Sequence, residues 1–405
     1  MQLSRREILT MAAGAAACGG REPEAAPLIE SIEQETIWRG RDGQGDGTWF
    51  HPRACRIPGE PDVLAMAVQT ISGSDVFGPV HVSFSEDAGR VWRKPMPIPG
   101  LGRKTLPDGV EEGVCDTVPS YHPPTGAVLF MGWNVYYLGG KLTRPSEQRW
   151  PVYVVNKADG EWSEAKKLEW NDPEATAIYG SNCSQRVLLE GGDFLVPLTF
   201  GPLGREDRMV TTVRCSFDGE TLGVKQRGNS LSLAVKRGLL EPSVAHWGGR
   251  YWMTIRAEDD HGYLSTSDDG LQWAQQQPWI WDDGEPLTMS TTQQHWVEHS
   301  DGLFLAYTRK DASNVNVMRW RAPIWIAQVD PEKRCLIRAT EQVAIPLKGD
   351  GVNDADNVAR MGNFHPVNAT QWETLITVGE TIPSKAFAGD TLLARIRWSR
   401  PNLLA

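Results

Sequence analysis

Ser85-Glu86-Asp87-Ala88-Gly89-Arg90-Val91-Trp92 and Thr266-Ser267-Asp268-Asp269-Gly270-Leu271-Gln272-Trp273 spell one pattern, Ser/Thr-x-Asp-x-Gly-x-x-Trp, each directly after a run that reads as a strand. The pattern describes a hairpin turn. Asp accepts backbone amides within it, Gly takes a positive φ, and Trp packs back beneath the strands. Weaker copies stand at Asn156-Lys157-Ala158-Asp159-Gly160-Glu161-Trp162, at Ser216-Phe217-Asp218-Gly219 and at Asp330-Pro331-Glu332. Taking Asp87, Asp159, Asp218, Asp268 and Asp330 as markers gives separations of 72, 59, 50 and 62 residues, each room for a four-stranded unit and a loop. Between them lie short apolar or alternating runs punctuated by Gly, Asp and Pro, such as Val63 to Val68, Val128 to Trp133 and Tyr251 to Ile255. Such a repeat in an all-β chain predicts a six-bladed β-propeller. Five blades carry a marker, and the sixth closes by pairing a strand near Ile37-Trp38 with Leu392 to Trp398.

The composition agrees with a folded globular chain: 405 residues, 40 Gly, 27 Pro, 17 Trp and 23% charged residues. A net charge of −10, with no run of five or six basic residues, disfavours nucleic acid as a partner. The high Trp content fits β-sheet cores and flat platforms for sugars.

Ahead of the repeats, Arg5-Arg6 precedes a short apolar stretch, Ile8 to Ala17, too short to span a bilayer as a helix. Residues 1–18 read as an export signal of the twin-arginine type. Ala15-Ala16-Ala17-Cys18 resembles a lipoprotein processing box, so lipidation at Cys18 and plain cleavage both stand as outcomes. Residues 19–35 read as a flexible tether and 36–405 as the propeller. Cys55, Cys115, Cys183, Cys215 and Cys335 show no CxxC spacing and read as buried thiols, with one or two disulfides open. His295 and His299 sit in an extended context, and no metal site or cofactor is expected.

The turn pattern and ring geometry together resemble the sialidase superfamily over about residues 36 to 400. The resemblance implies three arginines around a substrate carboxylate, an Asp acid/base and a Tyr nucleophile activated by a Glu. It places the first arginine at Arg53, with Arg56 of the literal Arg56-Ile57-Pro58 triplet as runner-up. The acid falls at Asp75, ten residues before Ser85, and the Glu and second arginine at Glu241 and Arg256, across the Gly248-Gly249 hairpin. The third arginine is Arg321, with Arg309 as alternative. Three guanidinium groups at one rim make sense only around an anion.

The pattern breaks where the family carries its Tyr. Here the chain reads Gly362-Asn363-Phe364-His365. A Tyr from another blade (Tyr121, Tyr136 or Tyr179), His365 acting as base on water, or a different reaction would each repair the break. Asp116 and His122, on a second-blade rim segment, are further substrate-contact candidates.

The expectation is therefore an exported, monomeric, sialidase-like glycoside hydrolase for a terminal acidic sugar. Two rivals remain. One is a propeller polysaccharide lyase on uronate glycans, using His51, His122, Tyr121 and His365. The other is a non-catalytic glycan-binding propeller.

Overall fold

The computed structural model describes residues 27–40, 48–143, 149–180, 183–202 and 207–405, without the side chains of 178–180. The expected export signal at residues 1–18, with Cys18, lies outside the described residues.

Six antiparallel sheets form the blades of a six-bladed β-propeller. Each sheet starts from an inner strand: Trp49–Ile57, Glu111–His122, Ala177–Gly180, Leu240–Trp247, His295–His299 and His365–Thr370 in blades one to six. The first blade's inner strand touches those of the second and sixth, and the fifth's touches those of the fourth and sixth. Residues far apart in sequence therefore meet near the axis. Between blades the filler is apolar. Ile326 and Ala344 of the fifth blade, for instance, share a buried cluster with Ile376, Ala394 and Trp398 of the sixth.

The outermost strand of the sixth blade is Ile29–Trp38, paired antiparallel with Thr391–Trp398. The strand starts at Ile29, so residues 29–35, read above as tether, belong to the sheet. Their side chains alternate polar and apolar too weakly to announce a strand, and only the exposed edge of Thr391–Trp398 organises them. Buried Arg395 fixes this closure, reaching Glu35 at 2.6 Å and Glu373 at 2.9 Å.

The marker turns occupy one structural place, between the third and fourth strands of blades one to five. In each the Asp carboxylate accepts amides of the turn: Arg90 and Val91 on Asp87, Glu161 on Asp159, Glu220 and Thr221 on Asp218, Leu271 and Gln272 on Asp269, Glu332 and Lys333 on Asp330. In the fourth blade the capping carboxylate is Asp269, held also by Ser267, whereas the expected marker Asp268 faces Arg250 at 3.3 Å. That turn is one residue tighter than the first blade's, where Ser85 and Asp87 pair and Gly89 follows. The turns also join blades: Trp273 Nε1 donates to Thr212 in the third blade, and Arg90 pairs with Glu373 in the sixth. All five cysteines of the described chain are buried free thiols.

Candidate functional site

The inner strands of the first, second and fourth blades each slip register once: between Phe50 and Arg53, between Cys115 and Val118, and between Leu240 and Ser243. Each slip holds a non-glycine residue at positive φ: His51 at 52°, Asp116 at 55° and Glu241 at 46°. A bulge of this kind turns a side chain out of the strand's alternation, and its backbone strain persists only where surrounding contacts hold it.

At Asp116 those contacts converge from three blades. Its carboxylate accepts from Arg53 at 2.5 Å, from Asn363 Nδ2 at 3.1 Å and from Trp133 Nε1 at 3.2 Å, with His51 Nδ1 another 3.2 Å away. Burial alone would raise the Asp116 pKa. The Arg53 cation and the donors around it prevail and hold the carboxyl far below the usual carboxylate range. Arg53 is itself buried, with its Nε unpartnered.

Glu241 and Arg256 form the second focus. Arg256 closes the strand that runs antiparallel to Glu241's, and its Nη1 donates to Glu241 Oε1 at 2.8 Å. Thr291 Oγ1 also accepts from Arg256, at 3.2 Å, while Glu241 Oε2 is buried without a partner.

Arg321 follows the short 3-10 turn Met318–Trp320. No carboxylate among the described residues pairs with it, and its Nε is buried and unsatisfied. Burial pushes the Arg321 guanidinium down to about 10, with the Arg256 and Arg319 charges acting in the same direction and Glu241 and Asp75 opposing. Asp75, at φ 56° in the exposed first-blade hairpin, thus belongs to the same electrostatic neighbourhood.

The buried Cys183 thiol lies in the field of Glu241, Asp116, Arg53 and Arg256 together, and His51 in that of Arg53 and Arg321. These charges from four blades therefore share one region, with the Cys183 thiol of the third beside them.

Beside it stand two neutral imidazoles. His295 and His365 open the inner strands of adjacent blades and lie edge to face with ring centroids 5.3 Å apart. Ser243 Oγ lies 3.0 Å from His295 Nδ1, but His295 Nε2 and both nitrogens of His365 are buried and unpartnered. Burial pushes His295 down to about 3, and burial, followed by electrostatic competition with His295 for a proton and by the Arg53 cation, holds His365 well below its ordinary value.

Two expected contacts lie elsewhere. Arg56 pairs with Asp62 at 2.7 Å and braces the turn after its strand. It stands three residues beyond Arg53, and strand alternation sends the two to opposite faces. His122 is locked between Thr125 Oγ1 at 2.7 Å and the Gly192 carbonyl at 2.9 Å, packed on Phe194 and Phe217, as a structural ring between blades. The alternative arginine, Arg309, is committed to Glu341 and Asp311. Tyr121 packs in the core between the first two blades, and Tyr136 bonds Asn134 within the second. Tyr179 sits at the register shift of its strand, with its side chain outside the described part. Sequence reasoning missed the roles of Trp133 and His295. For His295 the signal was its place opening an inner strand, matched by His365 one blade on.

No protein-family model matches the sequence, and no curated protein matches it. The fold does have solved counterparts. A protein of unknown function from Dyadobacter fermentans superposes with TM-score 0.63 at 14% identity, covering 91% of this chain and 100% of that one. The Hadza microbial sialidase Hz136 gives 0.61 at 15% identity, covering 89% of this chain and 68% of that one. Trypanosoma rangeli sialidase gives 0.61 at 12% identity over 91% of this chain, which spans 60% of that protein's length. At these identities the likeness is one of fold.

Proposed function

We propose that the protein is an exported sialidase-like glycoside hydrolase that takes a terminal acidic sugar. The observation that carries this reading is Arg321, a half-buried cation with a buried, unsatisfied Nε and no carboxylate partner among the described residues, set in the field of Arg256. An uncompensated buried charge is costly, and a bound carboxylate or sulfate offsets that cost through bidentate bonds. Arg53, already anchored to Asp116, supplies further positive potential behind them. Asp75, on the exposed hairpin, protonates the leaving oxygen as the glycosidic bond breaks, and the Glu241 carboxylate stabilises the positive charge that develops at the anomeric carbon.

Asn363, Phe364 and His365 offer no phenol to attack that carbon. The neutral His365 imidazole is the available base for a water, which implies inversion. The unpartnered His295 Nε2 and the unpartnered His365 ring also favour a second reading, proton abstraction beside a uronate carboxylate neutralised by the arginines, with elimination of the neighbouring sugar.

Incubation with sialosides, uronate glycans and sulfated glycans separates these readings. New reducing ends without near-ultraviolet absorbance support hydrolysis; absorbance from a new double bond supports elimination. In either case Arg321→Ala is expected to lower kcat/KM at least 100-fold. Ligand binding without turnover would overturn both in favour of a glycan-binding propeller. Export and lipidation at Cys18 belong to the same proposal, and membrane fractionation of a Cys18→Ser variant tests the anchor.

A further inference from the structure

Several half-buried arginines elsewhere in this acidic protein meet carboxylates, Arg227 with Asp172 and Glu174 and Arg309 with Glu341 and Asp311, while Arg186 is held by the Val118 carbonyl and Ser120 Oγ. The rim between the fifth and sixth blades differs. Arg319 is exposed, held at φ 54° by the turn that also positions Arg321, and it acts on Arg321 as a like charge. Arg360 comes from the sixth blade, half-buried over the Phe387 ring at 5.1 Å, with its Nη1 3.4 Å from Met318 Sδ and its Nε 3.4 Å from Thr381 Oγ1. Burial alone lowers the Arg360 pKa, with no acidic group opposing it. Among the described residues no carboxylate pairs with Arg319 or Arg360. Met318 thus ties Arg360 to the segment bearing Arg319 and Arg321, so three guanidinium groups without carboxylates run along one stretch of rim. Trp320 and Phe387 provide ring surface there. The cation-bearing face of Trp320 is already taken by Lys310, whose ammonium lies 4.2 Å from the ring and pairs with Asp260.

Arg319 and Arg321 repel as like charges, and Arg360, brought to the same segment through Met318, loses hydration to Phe387 and Met318. An anion is what such a cluster stabilises best, and guanidinium suits carboxylate and sulfate oxygens equally. We propose that Arg319 and Arg360 form a second anion subsite beside Arg321, receiving a carboxylate or sulfate on the sugar unit next to the terminal acid. The natural ligand is then a polyanionic glycan rather than an acidic sugar on a neutral stem. This rests on the terminal-acid reading of Arg321.

The test is calorimetric titration at fixed ionic strength with matched disaccharides. N-acetylneuraminate and glucuronate each form the terminal unit, on galactose, on sulfated galactose and on a second acidic sugar. Wild-type protein is expected to bind the doubly anionic members about tenfold more tightly than the neutral-stem ones. Arg319→Gln and Arg360→Gln should each reduce that ratio to within about twofold, and the sulfated and carboxylated arms identify which anion is preferred. Equal wild-type affinity for neutral-stem and doubly anionic probes overturns the second subsite and leaves the terminal site standing. Binding of doubly anionic probes that depends on Arg319 and Arg360 but survives Arg321→Ala keeps the subsite and overturns the terminal-acid reading. No binding by any probe overturns both. Thermal melts of the variants confirm folding, and the wild-type ratio decides the matter without them.

Discussion

At the level of single residues, the site holds groups that would be unfavourable alone, and the two imidazoles make this measurable. His295 and His365 stay neutral in the folded protein well below the pH at which a histidine in an unfolded chain, near 6.5, takes up a proton. Below about 6.5 the unfolded state therefore binds protons that the folded state refuses. The stability these residues permit is complete above that pH and declines as pH falls, for His295 until its folded pKa of about 3 is reached. Each contributes a slope of up to about 1.4 kcal/mol per pH unit. Melting temperature followed from pH 8 to pH 4 should fall for the wild type and fall less steeply for His295→Gln/His365→Gln. An unchanged slope in the double variant would mean that other groups carry the acid sensitivity. Asp116 contributes little to it, because the Arg53 cation keeps its carboxyl ionised through this range.

For the elements, legibility followed from how local each one is. The hairpin turns could be read directly because their bonds run between residues two to four apart, and five appear in equivalent places. Even there the fourth-blade marker was off by one, since Thr266 with Asp268 matches the full pattern literally, while the structure pairs Ser267 with Asp269 in a turn one residue shorter. The bulges at His51, Asp116 and Glu241 had no comparable signal. A register slip is a relation between two strands, and the sequence of one does not contain it. Arg56 misled for a related reason: a literal triplet says nothing about which face of a strand it occupies. The turn geometry makes its own prediction. Gly270 has φ 75°, and a Cβ there would stand 2.6 Å from Leu195 Cδ2 of the third blade. Gly270→Ala combines backbone strain with overpacking and should cost about 2–4 kcal/mol, read as a lower denaturant midpoint with an unchanged m-value. A cost below about 0.5 kcal/mol would show that the turn does not staple the two blades.

Across the described molecule, ring closure couples the strands Ile29–Trp38 and Thr391–Trp398 to a site built on other strands. Strand Ile29–Trp38 is the outermost of the sixth blade, while His365 opens the innermost and Asn363 reaches across to Asp116. Removing residues 1–38 exposes the ladder of Thr391–Trp398, uncovers the cluster around Ile29, Ile396 and Trp398, and takes Glu35 from a buried Arg395. An unpaired apolar edge invites association with other chains. The remaining Glu373 leaves Arg395 only partly compensated. The truncated chain is therefore expected to lose its single cooperative unfolding transition, to aggregate, and to lose ligand binding along with near-ultraviolet circular dichroism. Glu35→Gln separates charge from closure: it keeps the strand and the fold, lowers stability by about 1–3 kcal/mol, and leaves binding intact. If the truncated protein instead melts cooperatively at the wild-type temperature, the ring is held shut by the contacts between inner strands. The site would then owe its geometry to the axis rather than to the closing strand at its circumference.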